Sequence, residues 1–136
     1  MKKLFLGALA ICLFLGLAIA QEQQQPQAQS ALTVETAVIC KDVANREPVE
    51  PGDQFSKDVG SLACFSKITG ASGETEIKHL WYHKDQLLDT ITLPVKASAW
   101  RTWSRKTIPA EMTGEWKVEI KDAEDNVLTS LSFTIE

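Results

Sequence analysis

The C-terminal part of the chain alternates apolar and polar side chains over two consecutive segments. From Trp116 to Lys121 every second residue is apolar, and the residues between them are charged. After the polar connection from Asp122 to Asn126, the alternation resumes from Val127 to Ile135. Side chains on a strand point alternately to opposite faces, so each segment has one dry face and one wet face. We therefore predict an antiparallel hairpin packed on a core on one side.

Five earlier segments have a similar composition, rich in Val, Ile, Thr and Trp and bounded by Gly, Pro, Asp and Asn. No long stretch has a helical period, which indicates an all-β domain. Seven short antiparallel strands suit two packed sheets, an immunoglobulin-like β-sandwich, better than a closed barrel. The stretch from Asp42 to Lys57 is predicted to be a turn-rich loop, because Pro48 and Pro51 cannot donate ladder hydrogen bonds. The five earlier strands are about Thr33 to Cys40, Val59 to Ile68, Thr75 to His83, Leu87 to Val95 and Trp100 to Ile108.

The N-terminal segment has the pattern of an export signal. Two lysines precede an apolar run from Leu4 to Ile19, and small residues at Ala18 and Ala20 suit cleavage before Gln21. An uncleaved membrane anchor is the alternative, since about 17 apolar residues lie near the lower limit for spanning a bilayer. We therefore predict a signal peptide at 1–20, a Gln-rich flexible linker at 21–31 and a β-sandwich domain at 32–136, in a periplasmic or secreted protein.

Charge and cysteine content restrict the function further. Of the 14 basic side chains, removal of Lys2 and Lys3 leaves 12 against 18 acidic ones, a formal charge of −6. Nucleic acid is therefore not an expected partner, because its binding depends on clustered Lys and Arg.

Cys40 and Cys64 remain in a compartment where oxidation is possible. They are a possible disulfide, and buried free thiols are the alternative.

Several fragments of the sequence resemble those of a known bacterial family. They are Arg46-Glu47-Pro48-Val49, Leu62-Ala63-Cys64-Phe65, His79-Leu80-Trp81-Tyr82-His83, Trp100-Arg101-Thr102-Trp103-Ser104 and Gly114-Glu115-Trp116-Lys117-Val118. Together they resemble the bacterial domain of unknown function 2914. The resemblance implies a small β-rich domain of exported or membrane-linked proteins, with no established activity. The chain departs from the family pattern at Ser66, where Thr is common, and at Asp125-Asn126, which replaces a glycine in the last hairpin.

The segment from Trp100 to Lys106 is the most unusual of the predicted strands. It places Trp100, Thr102 and Ser104 on one face and Arg101, Trp103 and Arg105 on the other, so neither face is a uniform core. One interpretation is a cation–π ladder in which guanidinium groups stack beside Trp103. The other is a platform for an anionic or sugar-like ligand. The candidate ligand-binding residues are Tyr82, Trp100, Arg101, Trp103, Arg105 and Lys106.

No other motif points to a cofactor or a reaction. His79 and His83 lie four residues apart, about 13 Å along a regular strand, which is too far to share one zinc ion. The acidic stretch from Asp122 to Asn126 lacks the spacing of an EF-hand and is predicted to be a hairpin tip. No nucleophile elbow, metalloprotease helix, phosphate-binding glycine loop or paired redox cysteines are present, so no catalytic residue and no cofactor is assigned.

These observations favour an exported, non-catalytic binding or accessory module. Its partner would be a protein or a cell-envelope component, recognised through the strand from Trp100 to Lys106, with membrane contact only through an uncleaved leader. A purely structural or assembly domain with a Trp-Arg packing ladder is the first alternative. An enzyme with an unfamiliar site is the second, and it predicts a cleft with convergent His, Asp or Glu side chains.

Overall fold

A computed structural model describes residues 31–136, which form nine β-strands. The predicted signal peptide and all of the predicted linker except Ala31 lie outside the described residues. Within residues 31–136, no helix is long and apolar enough to cross a membrane. The strands are β1 (Thr33–Ala44), β2 (Glu47–Gly52), β3 (Gln54–Phe55), β4 (Ser61–Thr69), β5 (Thr75–His83), β6 (Gln86–Val95), β7 (Ala99–Thr107), β8 (Gly114–Asp122) and β9 (Val127–Ile135).

The strands form two open sheets that pack as a sandwich. The four-stranded sheet has the order β2-β1-β4-β7, and the five-stranded sheet has the order β3-β9-β8-β5-β6. Strands β1, β4 and β7 thus occupy the positions of A, B and E of an immunoglobulin-like sandwich, and β5, β8 and β9 occupy those of C, F and G. The predicted all-β sandwich is confirmed, with two more strands than the seven expected.

The main core lies between the sheets and is built on two tryptophans. Trp81 on β5 and Trp116 on β8 are fully buried, and each packs against Phe133 of β9, with ring centroids 6.2 and 5.9 Å apart. The indole Nε1–H of Trp116 donates to the carbonyl of Met112, 2.9 Å away. This bond fixes the loop before β8, as the conserved tyrosine of an immunoglobulin domain fixes the corresponding corner.

The segment predicted as a turn-rich loop, Asp42 to Lys57, contains two of the nine strands, so this prediction is wrong. β2 pairs with the second half of β1 around a two-residue turn in which Asn45 and Arg46 have φ values of 52° and 61°. Positive φ at both central positions is the type I′ geometry that suits a hairpin. Pro48 and Pro51 are tolerated because β2 is an edge strand, where one side of the backbone needs no ladder partner.

The possible disulfide between Cys40 and Cys64 is not formed, and the two thiols do not share a face of the sheet. Cys64 pairs with Ile39 across β1 and β4, whereas Cys40 pairs with Ala63. Paired residues on neighbouring strands share a face, so the two cysteines point to opposite faces of the sheet. Both are free and buried, and burial raises the pKa of each thiol.

Candidate functional site

Strand β7 lies at the edge of the four-stranded sheet and carries most of the candidate residues. It pairs with β4 on one side in an unbroken register from Ser61↔Thr107 to Thr69↔Ala99. Cys64, which belongs to the main core, is paired with Ser104, so the even-numbered residues of β7 face the other sheet. Trp100 and Lys106 are therefore on the inner face, and Arg101, Trp103 and Arg105 are on the outer face.

A second, smaller apolar cluster covers the outer face of this sheet. Cys40, Ala63 and Phe65 are buried there, and Val43 and Trp103 pack against them with Val38. The rings of Phe65 and Trp103 are stacked, with centroids 6.5 Å apart and an angle of 19° between the planes. An outer sheet face normally contacts water, so another part of the chain must shield this cluster.

That shield is the hairpin of residues 41–52, which we call the covering hairpin. Asp42 forms an ion pair with Arg105, with 2.8 Å between the carboxylate oxygen and the guanidinium nitrogen. Glu47, near the tip, forms a second pair with Arg101 at 2.7 Å. Because Arg101 and Arg105 are about 13 Å apart along β7, the hairpin must run back over the sheet along this strand. The contacts differ from the ladder suggested by the sequence, since carboxylates contact both guanidinium groups and the stacking partner of Trp103 is Phe65.

The charges of these ion pairs remain partly accessible to solvent. The side chains of Arg101 and Arg105 are 36% and 47% exposed, and those of Glu47 and Asp42 are 60% and 59% exposed. The backbone N–H of Val43 and the guanidinium of Arg105 hold the pKa of Asp42 below its ordinary value. At the hairpin tip, the guanidinium of Arg46 lies 5.9 Å from the ring centroid of Trp100. Exposed pairs of this kind add little stability, so their arginines can bind other anions at small cost.

Two of the predicted candidates lie away from this surface. Lys106 faces inward at the side of the sandwich, where its Nζ atom is 3.8 Å from the carboxylate of Asp89 on β6. Tyr82 lies on the outer face of the five-stranded sheet, where Lys117 is 4.7 Å from its ring centroid and a hydrogen bond with Glu119 raises its pKa. The structure thus places Arg101, Trp103 and Arg105 together and separates them from Tyr82.

Directly behind β7, a chain of buried hydrogen bonds joins the two sheets. The Nε1–H of Trp81 donates to Ser104 Oγ at 3.1 Å, and Ser104 Oγ lies 2.7 Å from His79 Nδ1. His79 Nε2 lies 3.1 Å from Ser66 Oγ, whose hydroxyl donates to the carbonyl of Thr102 at 3.3 Å. Since Ser104 already accepts from Trp81 and Ser66 already donates, His79 accepts at Nδ1 and donates from Nε2.

This buried network explains polar residues that the sequence left unassigned. Ser66, His79 and Ser104 are nearly inaccessible to solvent, and burial lowers the pKa of His79 to about 4, so its ring is neutral at pH 7. A serine hydroxyl beside a histidine can serve as a nucleophile, but these atoms lie between the sheets, where no substrate reaches them. The network therefore joins the two sheets. Its signal in the sequence is the polar inner face of β7.

The remaining polar candidates have structural partners. His83 Nε2 is 2.8 Å from the carbonyl of Thr113, and its ring contacts Trp116. The Asp122 carboxylate accepts the backbone N–H groups of Glu124 and Asn126, which closes the last hairpin. The positive φ of this turn lies at Asp125, at 65°. Among residues 31–136, no group of three or more His, Cys, Asp or Glu side chains could hold a metal ion.

Two shallow depressions lie at opposite ends of the five-stranded sheet. One, of about 340 Å³, is bordered by the turn at Lys84-Asp85 and by Glu115 and Lys117. The other, of about 400 Å³, lies beside the loop from Gly70 to Thr75. Neither is lined by a histidine or a cysteine, and neither includes the residues of β7. Both are lined by carboxylate side chains, and the first also by two lysines, Lys84 and Lys117.

Comparison with known families gives one match within the chain. Residues 74–135 match the model of a family described as "Protein of unknown function (DUF2914)". This confirms the family predicted from the motifs, and it covers β5 to β9 with the fragments at 79–83, 100–104 and 114–118. The fragments at 46–49 and 62–65 lie outside the match, so the DUF2914 region includes β7 but not the covering hairpin.

Other comparisons add no function to this domain. No curated protein matches the chain. One similar solved structure is a mutant β-glucosidase from Listeria innocua in complex with laminaribiose, with 11% identity, a TM-score of 0.47 and coverage of 77% of this chain and 16% of that chain. Another is a GH3 β-glucosidase from Bifidobacterium adolescentis, with 9% identity, a TM-score of 0.44 and coverage of 76% and 17%. The chain thus spans about one sixth of either enzyme.

Proposed function

We propose that the chain is an exported, non-catalytic binding module that recognises an anionic group on a protein or a cell-envelope component through the outer face of β7. The N-terminal export pattern supports its location in the periplasm or outside the cell. The observation that carries the proposal is the half-exposed pair Arg101 and Arg105, held on one rigid strand on either side of Trp103.

The chemistry of these side chains suits anion recognition. A guanidinium has five N–H donors in a fixed plane, so a single carboxylate partner leaves donors for a second anion. Three basic side chains lie on the outer face of β7 or at the hairpin tip, against the two carboxylates that pair with them, in a protein whose formal net charge is −4. The local charge is therefore opposite in sign to that of the whole chain, which attracts an acidic partner. The three basic residues are Arg46, Arg101 and Arg105.

A purely structural role is the second candidate, and the same ion pairs favour it. Arg101 and Arg105 hold the covering hairpin over Phe65 and Trp103, and this alone could account for their presence. In that case the carboxylate and the guanidinium of each pair would be equally important. In a binding module, the guanidinium would have a role that its carboxylate partner does not share.

This difference defines the experiment. One double variant, Arg101→Gln with Arg105→Gln, removes the guanidinium groups of the two ion pairs. The other, Glu47→Gln with Asp42→Asn, removes the carboxylates of the same two pairs. The mature protein and both double variants are immobilised, and the envelope material that each retains at low ionic strength is quantified together with its Tm. We expect the arginine variant to lose capture and the acidic-residue variant to keep or increase it, with similar small changes in Tm.

Equal loss of capture in both double variants would contradict the proposal, because each would then act only by loosening the covering hairpin. Capture by the arginine variant at the level of the unsubstituted protein would place recognition elsewhere on the molecule. An increase of salt should release the retained material, because the contacts are between exposed charges.

A further inference from the structure

Strand β7 differs from the other edge strands of the sandwich in having no proline, no bulge and no shortening, so that charged side chains alone protect its edge. Edge strands are commonly protected from pairing by proline, by short length or by bulges. β2 contains Pro48 and Pro51, β3 has two residues, and β6 contains Pro94 and a register shift against β5. β7 has nine residues, no proline and an unbroken register with β4. Within the part of the chain that the structure describes, no strand pairs with its second edge.

A second copy of this chain would pair unfavourably with that edge in the register centred on Trp103. Antiparallel pairing of two β7 strands around Trp103 would place Arg101 of one copy opposite Arg105 of the other. Like charges directly opposite each other on neighbouring strands are destabilising. The same two arginines favour a strand that carries negative charge. They therefore discriminate between partners and leave the edge of β7 available for pairing.

We propose that the free edge of β7 binds an extended acidic segment of a protein partner by antiparallel strand addition. This inference rests on the proposed function and names the partner chemistry of the same surface. The main-chain hydrogen bonds of the added strand would provide affinity, and the side chains on its outer face would provide specificity. The contact between Arg46 and Trp100 lies at one end of β7, outside the segment from Arg101 to Arg105 that the charges of the added strand would contact.

The spacing on β7 defines the sequence that the edge would prefer. Arg101 and Arg105 lie four residues apart on one face, with Trp103 midway between them. An antiparallel partner would therefore carry two acidic residues four positions apart, with an apolar residue between them that packs beside the indole. Residues at the intervening positions would point to the other face of the added strand.

The test uses the mature protein purified after export and a nine-residue peptide. The peptide has glutamate at its third and seventh positions, valine at the fifth and threonine elsewhere. Amide hydrogen exchange of β7 and peptide affinity are both measured at low ionic strength. Two further peptides are N-methylated at alternate residues, one at the odd positions and one at the even positions. In an added strand, only one of these sets faces β7.

We expect the parent peptide to slow amide exchange in β7 and one N-methylated peptide to lose binding while the other retains it. Lysine in place of glutamate should weaken binding by about tenfold or more, because two favourable charge contacts become repulsive. A smaller loss is expected with the parent peptide and the double variant Arg101→Gln, Arg105→Gln, because glutamine removes the attraction without adding repulsion.

Three results would overturn strand addition. The first is that both N-methylated peptides bind as well as the parent, which would mean that only the charges are recognised. The second is that no peptide binds at any salt concentration. The third is that the protein alone forms a dimer that protects β7 from exchange, which would make a second copy the occupant. Arginine-dependent capture of envelope material without peptide binding would reject this partner class and leave the binding module itself intact.

Discussion

Ser104 is the residue at which the two sheets are most closely tied together by polar atoms. It stands on the inner face of β7, where an apolar side chain would be expected, and it contacts both Trp81 and His79. A buried donor or acceptor that loses its partner costs about 1–3 kcal/mol, because it was also removed from water. A single hydroxyl therefore satisfies two buried groups on β5, which explains why serine is used at this position.

Replacement of Ser104 by alanine should lower the free energy of unfolding by about 2–4 kcal/mol, because Trp81 Nε1–H and His79 Nδ1 both lose their partner. Ser66→Ala leaves one ring nitrogen unpaired and should cost about 1–3 kcal/mol. Urea unfolding measures both changes, with Ser130→Ala on the exposed face of β9 as a control. A smaller loss for Ser104→Ala than for Ser66→Ala would argue against the assigned network.

The burial of His79 predicts a pH-dependent stability. Its pKa is about 4 in the folded protein and 6.5 in the reference state, so the unfolded chain binds more protons between these values. The contribution of the neutral His79 ring to the free energy of unfolding is complete above pH 6.5. It is lost as the pH falls toward 4, and the total loss is about 3 kcal/mol. Unfolding free energies measured from pH 7 to 4 test this.

The variant His79→Gln provides the control for the pH series, because glutamine does not titrate. It should be less stable at pH 7 and should show a much flatter pH dependence between 6.5 and 4. Asp42 and Asp125 have lowered pKa values, so the stability that they contribute is present above about pH 3.8 and is lost only below that pH. An unchanged slope in His79→Gln would mean that other groups cause the acid sensitivity.

At the scale of elements, the covering hairpin changes the environment of a whole strand. β4 is buried on both faces from Leu62 to Ser66, although it belongs to an outer sheet of a two-layer fold. One face contacts the five-stranded sheet, and the other contacts the covering hairpin and Trp103. A strand covered on both sides has a nearly continuous apolar sequence, which is what Leu62-Ala63-Cys64-Phe65 shows.

Loosening the covering hairpin should expose Cys40 but not Cys64. Asp42→Asn with Glu47→Gln removes two exposed ion pairs, which add little stability, so the Tm should change little. Cys40 lies in the cluster beneath the hairpin, so its reaction with a thiol reagent under native conditions should accelerate. Cys64→Ala and Cys40→Ala variants assign the labelled thiol. Faster labelling of Cys64 instead would indicate that the sandwich itself opens.

At the scale of the whole molecule, stability comes from burial between two sheets and needs no covalent link. Since Cys40 and Cys64 face opposite sides of one sheet, a disulfide between them would require β1 or β4 to be rebuilt. We expect the chain without residues 1–20 to contain two titratable thiols after denaturation under non-reducing conditions. A reducing agent should leave its Tm unchanged. A single disulfide found by mass spectrometry would contradict the observed register.

Alternating polarity specifies the two-layer β-sandwich, because it is a local property that each strand carries. The sequence predicted β5 and β9 to the residue, and it placed Arg101, Trp103 and Arg105 on one face of a strand. What covers that face depends on contacts between segments that are distant in the chain. The return of the hairpin over β4, the buried bonds of His79 and the separation of the two cysteines all depend on strand pairing between distant segments. Local periodicity carries no information about such pairing, so the proline-containing segment was wrongly predicted to be a loop.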